Sequence, residues 1–558
     1  MSERELRGLA ASGGVAIGRA LVWHDEEPAA AGAGNPIAAL DTVAAELARS
    51  AERFRGAGLE DEAEILETNK LMVEDPALRL EVERLATEVG PADALRQATA
   101  RHADLLATIP DPLLAARATD IRQLGLRAVR ALVGAAMPTA TAASILIARD
   151  LGPADVADLR LEEGLVLGIA LAEGAATSHA AIMARAFGVP MAVGLGEDLF
   201  SIRGGETVIV EGDDGTVVVD PRTSQLLSAE SEVNRRRRLH EERVAARGLP
   251  AITRDGRIVS LLCNASTAAE VKAGLEAGAE GVGLLRTELA FLEARAWPTE
   301  DEHFEVLAPT LAQLRGRVAT VRTLDFGADK TPPFLAGITD RGLTLMLSHP
   351  VELEQQLRAI LRGAEGTQLR ILLPLVESAE QVRAVRALVA NPDVAVGAMI
   401  ETPAAAGHAA EISAEADFLS IGTNDLVQYT LALDRDRPVA SASTAAEPIV
   451  LGLIAQVVAA AHAAGKTVEV CGEAAGETHV AALLIGLGVD ELSVAPARLD
   501  ELRETVRRLS FADAADGARQ AVEAASAREA LALADGLLSA EVGHETGQVL
   551  GGLGGSVA

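Results

Sequence analysis

The sequence predicts an α/β protein in two parts: a compact α/β domain interrupted by a helical insert, then a closed parallel (β/α)8 barrel of the TIM type. Three observations predict it. From about Asn35 to Gly134, apolar residues fall three or four apart between charges, the period of amphipathic helices. On either side of that stretch lie short β-branched runs rich in Gly. From Ile252 onward, eight more such runs recur, each followed by helix-forming sequence.

Taken in order, the opening segment "LAASGGVAIGRALV" reads as turn and short strand that can pair with a later sheet. Residues 1–34 are assigned to it and 35–137 to the helical insert, whose breaks fall at Gly56 to Gly58, near Pro76, at Gly90 and Pro91, and around Pro110 to Pro112. "ASILIARDL", "GLVLGIAL", "ETVIVEG" and "GTVVVD" then supply strands of the α/β domain, 138–227. The charged stretch 228–250, with four successive arginines and acidic neighbours on both sides, reads as a solvated joining helix rather than an anion site. "RIVSLLCN", "GVGLL", "VATVRTLDF", "LRILLPLV", "VAVGAMIE", "DFLSIG", "TVEVCGE" and "VDELSVA" are the eight barrel strands within 251–535, and 536–558 is a tail ending in "GGLGGSVA".

Composition narrows the function. A chain of 558 residues should hold about three or four domains. A net charge of −31 opposes any general affinity for nucleic acid or anionic lipid, and a partner protein is expected to be basic where it docks. Only Cys263 and Cys471 are present, so no disulfide framework is expected and a reducing, cytoplasmic setting is. No secretory leader is read at the N-terminus, and no long charge-free apolar run predicts a membrane span.

The residues with chemical potential cluster at predicted strand ends and one helix mouth. In "GAATSHAAIMAR" the Gly and small residues allow a tight turn into a helix, with His179 in its first turn, where the helix N-terminus favours phosphate on the imidazole. Taken alone, Thr177 or Ser178 could simply be a cap beside an ordinary histidine. In the barrel, Arg286 in "LLRTEL" and Arg322 in "VRTLDFGADK" suit a small dianionic substrate, although each singly could be a structural ion pair. Glu401 in "AMIETPAAAGH" and Asp425 in "GTNDLVQYTLALDRD" are hard oxygen ligands of the kind Mg²⁺ takes, and Arg435 stands where it could close over the same phosphate. Cys471 in "VEVCGEAAGE" sits at a strand end, where it is either a buried thiol or a reactive one; Cys263 reads as structural.

Together, "GAATSHAAIMAR", "RTE", "RTLDFGADK", "MIETPAAA" with "DFLSIGTNDLVQYTLALDR", and "VCGE" resemble Enzyme I of the phosphoenolpyruvate:sugar phosphotransferase system, in the family's order from about Leu6 to Ser493. The resemblance implies an enzyme that phosphorylates itself on His179 from phosphoenolpyruvate, releases pyruvate and passes the phosphoryl group to the phosphocarrier HPr or a similar protein. It implies that Cys471 protonates the enolate, that Arg286, Arg322, Arg435, Asn424 and Asp425 bind substrate, and that Glu401 and Asp425 hold Mg²⁺. The α/β domain would then be the phosphohistidine domain, the helical insert the carrier-docking domain, and the barrel the site of homodimerisation. Some positions depart from the family. Val156 and Ala154 replace a Thr and a Ser, the Thr being the residue that touches the active histidine, so the orientation of His179 is expected to be controlled differently. Arg341 survives in an eroded "GITDRGLTL" but Thr344 replaces a second arginine, Asn69 takes a place commonly held by His, and Leu285 and Leu289 replace aromatics.

Two other readings remain in view. A dikinase or synthase sharing these motifs would need a large ATP-binding domain ahead of the histidine domain, where no glycine-rich phosphate loop is found. A non-catalytic sensor of phosphoenolpyruvate would not need His179, both carboxylates and Cys471 together.

Overall fold

A computed structural model of the chain describes residues 4–23, 34–56, 59–108, 112–135, 137–161, 164–327, 330–433 and 442–539. It divides into two compact units, Met1–Glu241 and Glu242–Ala558.

The first unit is a mixed eight-stranded sheet carrying the helical insert. Its strands are β1 (Arg4–Arg7), β2 (Leu9–Ser12), β3 (Val15–Val22), β4 (Ser144–Ala148), β5 (Val166–Leu171), β6 (Met191–Val193), β7 (Thr207–Glu211) and β8 (Thr216–Val219). They lie in the order β1-β8-β7-β3-β4-β5-β6-β2. β3 pairs in parallel with β4 across the whole insert and antiparallel with β7, which places β3 in mid-sheet while β1 and β2 form its two edges. The central strand β4 reads as a nearly unbroken apolar run because both its faces are covered. Along β4, Leu146 and Ala148 face the helices while Ile145 and Ile147 face a second cluster with Val208, Val210, Val217 and Val219, the two-residue alternation of a strand.

The insert is five helices, α1 (Pro36–Gly56), α2 (Glu60–Glu74), α3 (Pro76–Val89), α4 (Pro91–Ala107) and α5 (Pro112–Val133). Their starts follow turn chemistry. Asp75 caps α3 by accepting from the Ala77 N–H at 2.7 Å with Pro76 in the first turn, and Gly90, at φ 89°, separates α3 from α4. Two of the expected breaks, at residues 57–58 and 109–111, fall on residues outside those described. After the insert come α6 (Pro153–Leu161), α7 (His179–Ala186) and α8 (Thr223–Ala245). The joining helix starts at Thr223, earlier than its charge suggests, and Leu226 and Ala229 in its first turns pack on Ile209 and Val218 of the sheet; beyond them, Arg235 and Arg236 share Glu232 on a solvated face.

The second unit is the barrel, with β9 (Ser260–Ala265), β10 (Gly281–Leu285), β11 (Val318–Arg322), β12 (Gln368–Leu373), β13 (Ala395–Ile400), β14 (Phe418–Ile421), β15 (Thr467–Val470) and β16 (Glu491–Val494). All neighbours pair in parallel and β16 returns to β9, closing the sheet. Each of the eight runs read from the sequence holds one of these strands. Their outer faces pack on the helices in one large core, and a smaller cluster of Leu284, Leu372, Met399, Phe418 and Cys471 fills the inside. The two cysteines thus separate: Cys263 lies in the outer core, and Cys471 faces the barrel axis. No described helix is long and apolar enough to cross a membrane. The tail from 540 on lies outside the described residues.

Candidate functional site

In the first unit the loop after β5 turns through Gly174, whose φ of 97° is one that side chains resist, and delivers the chain to α7. Ser178 is the N-cap, its Oγ accepting from the Ala181 N–H at 3.2 Å, and His179 is the first helical residue. Capping therefore falls to Ser178 and leaves the His179 ring free of that role. Ala180, Ala181, Met183 and Ala184 are buried, so α7 is fixed by its far side while the imidazole stays partly accessible, 16 % exposed. Its Nδ1 lies 2.8 Å from Oδ2 of Asp120, on α5 of the insert. Asp120 was not among the residues singled out above.

A polar stripe on α5 explains why Asp120 reaches that place. Asp120, Gln123, Arg127 and Arg130 follow at helical spacings of three and four and so share one face. Gln123 donates to Asp150 at 2.7 Å. Arg127 pairs with Glu46, Asp155 and Asp158 at 2.8, 3.0 and 2.6 Å, and Arg130 with Asp155 at 2.7 Å. Asp155 is buried, which would raise its carboxyl, but the two arginines hold it below the usual carboxylate range. These bonds lock α5 onto α6 and β4. Polar residues where an amphipathic helix should carry its apolar stripe were the signal for this face in the sequence.

In the barrel the sequence-marked residues stand at the carboxyl ends of the strands, where parallel barrels keep their sites. Arg322, at the end of β11, is buried between Glu288 at 2.6 Å and Asp325 at 3.2 Å. Lys330 adds a second cation to Glu288 at 3.0 Å. Burial alone would raise the Glu288 carboxyl, yet Arg322 and Lys330 hold it at about 2. The loop behind Arg322 is built in: Thr287 Oγ1 donates to the Arg322 carbonyl at 2.9 Å, and Gln356 donates to Thr287 Oγ1 and accepts from the Leu324 N–H, each at 3.0 Å. Arg286, after β10, is half-buried, and its side chain makes no hydrogen bond or ion pair among the described residues.

Glu401, after β13, is 3 % exposed and accepts from the Leu375 N–H at 2.9 Å. Leu375 holds a left-handed φ of 48° to present that N–H. Next to it, Gly422 leaves room for the carboxylate, since a Cβ there would stand 2.7 Å from Glu401 Cγ. Burial, Asp325 and Asp425 push Glu401 up to about 8, against the pull of Arg322. Asp425 lies on the helix Thr423–Leu431 that follows β14, 3.5 Å from Arg341 Nη2. Asn424 beside it receives the Glu473 N–H at 3.0 Å, tying the ends of β14 and β15 together. Arg435 lies outside the described residues.

Cys471 ends β15 with its Sγ buried and accepting from Ser420 Oγ at 3.3 Å. Burial and the carboxylate of Glu469 below it push the thiol up to about 12, so it keeps its proton at neutral pH. Around these groups several buried polar atoms have no partner among the described residues: Arg322 Nε, Glu288 Oε2, Asp325 Oδ1, Thr323 Oγ1, Thr423 Oγ1 and Arg341 Nε. Native interiors satisfy most such atoms, so a cluster of orphans marks a place where a polar ligand completes the bonding. Among the described residues, no three His, Cys, Asp or Glu side chains converge as a complete metal cage. Glu401, with Asp425 close enough to raise its carboxyl, and Asp425 itself fit an ion that takes two protein carboxylates and completes its shell with substrate and water oxygens.

The motifs match known models in the same order as the fold. Residues 7–117 match the N-terminal domain of PEP-utilising enzymes, 140–215 their mobile domain and 240–511 their PEP-binding domain. The phosphoenolpyruvate-protein phosphotransferase of Streptomyces coelicolor is 38 % identical over 97 % of this chain and 100 % of its own length. That of Staphylococcus carnosus is 32 % identical over 95 % and 99 %. A multiphosphoryl transfer protein of Xanthomonas campestris is 37 % identical over 80 % of this chain, but the chain covers only 55 % of that longer protein. The chain thus spans little more than half of the multiphosphoryl transfer proteins it matches and nearly all of these phosphoenolpyruvate-protein phosphotransferases. With its barrel, its three matched domains and these full-length relatives, the chain belongs to the phosphoenolpyruvate-protein phosphotransferase family of PEP-utilising enzymes.

Proposed function

We propose that this chain transfers the phosphoryl group of phosphoenolpyruvate to His179 and from there to HPr or an HPr-like phosphocarrier, releasing pyruvate as the first step of a sugar phosphotransferase system. The observation that carries the reading is the group of orphaned buried atoms at the barrel mouth, whose mixed charge suits a small polyanion and a cation together. Arg286, Arg322, Arg435 and Asn424 take the substrate's phosphate and carboxylate. A divalent ion, expected to be Mg²⁺ on Glu401 and Asp425, would neutralise substrate oxygens there.

The steps fall to this chain's own groups. A ring nitrogen of His179 attacks phosphorus as the bond from phosphorus to the enol oxygen breaks, and the electron pair leaves with the enolate. Cys471, held as a thiol, gives its proton to the enolate carbon, and the thiolate regains one from solvent. The helical insert, 35–137, is read as the carrier-docking domain, 138–227 as the phosphohistidine domain, and the barrel, 251–535, as the dimer contact of a cytoplasmic enzyme.

Incubation with phosphoenolpyruvate, with and without Mg²⁺, followed by mapping of acid-labile phosphate, tests this. Phosphate on His179 that forms with Mg²⁺ and chases onto HPr is expected. Pyruvate release from His179→Ala at the parent rate with carrier present would overturn it.

A further inference from the structure

We infer that Asp120, a residue of the helical insert, is the positioning residue for His179: it holds Nδ1–H, points Nε2 outward as the phosphoryl acceptor, and offsets the charge the ring gains on transfer. The inference rests on His179 being the acceptor.

The contact itself is the first ground. Nδ1 lies 2.8 Å from Asp120 Oδ2, and that carboxylate, its side chain 6 % exposed, meets only one other cation among the described residues, Arg117 at a long 3.4 Å. A carboxylate accepts and cannot donate, so the neutral ring facing it carries its proton on Nδ1 and its lone pair on Nε2. The second ground is what α6 lacks. Ala154 and Val156, the positions where the resemblance implies a Ser and a Thr, are buried and apolar and have no side-chain group that could hydrogen-bond the ring. The third is the stripe on α5: Gln123, Arg127 and Arg130 bond to Asp150, Asp155 and Asp158, so the face carrying Asp120 is not free to drift.

The charge balance gives Asp120 work to do. When Nε2 bonds to phosphorus and the enol oxygen departs with its electron pair, the ring keeps its Nδ1 proton and becomes cationic. His179 is the first residue of α7, where the helix N-terminus opposes a positive charge. A carboxylate on Nδ1 counters that field, and the effect reverses when the phosphoryl group leaves for the carrier. The helix terminus thus favours the phosphate while Asp120 favours the ring that bears it.

The test uses the full-length enzyme with Mg²⁺ and phosphoenolpyruvate, comparing parent, Asp120→Asn and Asp120→Ala. Long-range ¹H–¹⁵N spectra report the His179 tautomer, single-turnover kinetics the phosphorylation rate, and ³¹P and ¹⁵N spectra the phosphorylated nitrogen. Expected are an Nδ1–H tautomer and Nε2 phosphate in the parent. Asp120→Asn should keep the tautomer, because its amide oxygen can still accept, yet phosphorylate at least about tenfold more slowly. Asp120→Ala should lose the single tautomer as well, and in both the KM for phosphoenolpyruvate should stay within about twofold, since that substrate binds the barrel. An Nε2–H tautomer in the parent, or parent rates in both variants, would overturn the inference. Phosphate on a residue other than His179 in the parent would instead refute the acceptor assignment, so the two failures are distinguishable. Asp120→Asn is nearly isosteric, which keeps the test open if Asp120→Ala fails to fold.

Discussion

His179 and the barrel mouth are prepared for reaction in opposite ways. Around His179 the polar groups are already paired: Ser178 caps the helix, Asp120 meets Nδ1, and the neighbouring carboxylates of Asp150, Asp155 and Asp158 each have a partner. At the barrel mouth, buried atoms of Arg322, Glu288, Asp325, Thr423 and Arg341 have none among the described residues, and Glu401 is driven toward its neutral form by burial and by crowding with Asp325 and Asp425. A site with its bonds complete before any ligand arrives can present one nucleophile in one orientation. A site left incomplete gains its bonding from substrate and cation, and so spends binding interactions on them. Under the proposed function, the contrast separates an acceptor from a cradle.

The largest effect should come from removing the cradle's anionic oxygens. Glu401→Ala or Asp425→Ala should lower Mg²⁺-dependent phosphorylation by on the order of 10³-fold, the loss of several kcal/mol of charge stabilisation. An unchanged dependence of rate on Mg²⁺ in both variants would place the metal elsewhere and break the comparison. Next is Cys471→Ser, which should still let phosphate reach His179 but release pyruvate with its new C–H bond formed without stereochemical control, and more slowly by roughly 10²-fold. Chirality analysis of product from C3-labelled substrate in heavy water decides it. Stereospecific product at the parent rate would return Cys471 to a structural role.

A smaller effect tests the buried ion triad. Glu288→Gln leaves Arg322 facing a neutral amide and should cost the barrel about 3–5 kcal/mol in denaturant unfolding. The same carboxylate sets a pH signature. Its folded pKa, about 2, lies below the unfolded value, so its contribution is fully present above about pH 4.5 and is lost as pH falls toward 2. Barrel unfolding in the parent should therefore weaken through that window more steeply than in Glu288→Gln, and parallel curves would deny the triad this role. The smallest effect should be at the completed site: Ser178→Ala removes one cap bond and should cost about 1 kcal/mol in the first unit, with the barrel unaffected. A loss several times larger would mean that α7 depends on more than its cap.

Most of the fold could be read from the chain because its signals are local. Pro76, Gly90 and Pro91 mark helix boundaries through their own backbone constraints, and the eight β-branched runs declare strands without reference to one another. The residues at the strand ends were legible for the same reason, since Arg322, Glu401, Asp425 and Cys471 each follow a run that announces a strand. The charge of 228–250 concealed that Ala229 sits on a sheet, because an apolar patch of one residue carries no period.

What the residues alone determined, then, is the list of elements and the chemical groups at their ends, because backbone preference and side-chain period act over a few neighbours. Which groups meet was decided by tertiary packing. Asp120 reaches His179 only because α5 is locked across α6, and Arg322 is an ion-pair centre only because Glu288 and Asp325 from two loops converge on it. Glu401 becomes hard to ionise only when Asp325 and Asp425 are folded beside it away from water. Apart from Arg322–Asp325, only three residues apart, these contacts join residues distant along the chain, and the energies of all of them depend on burial and distance, which exist only once the layers have packed.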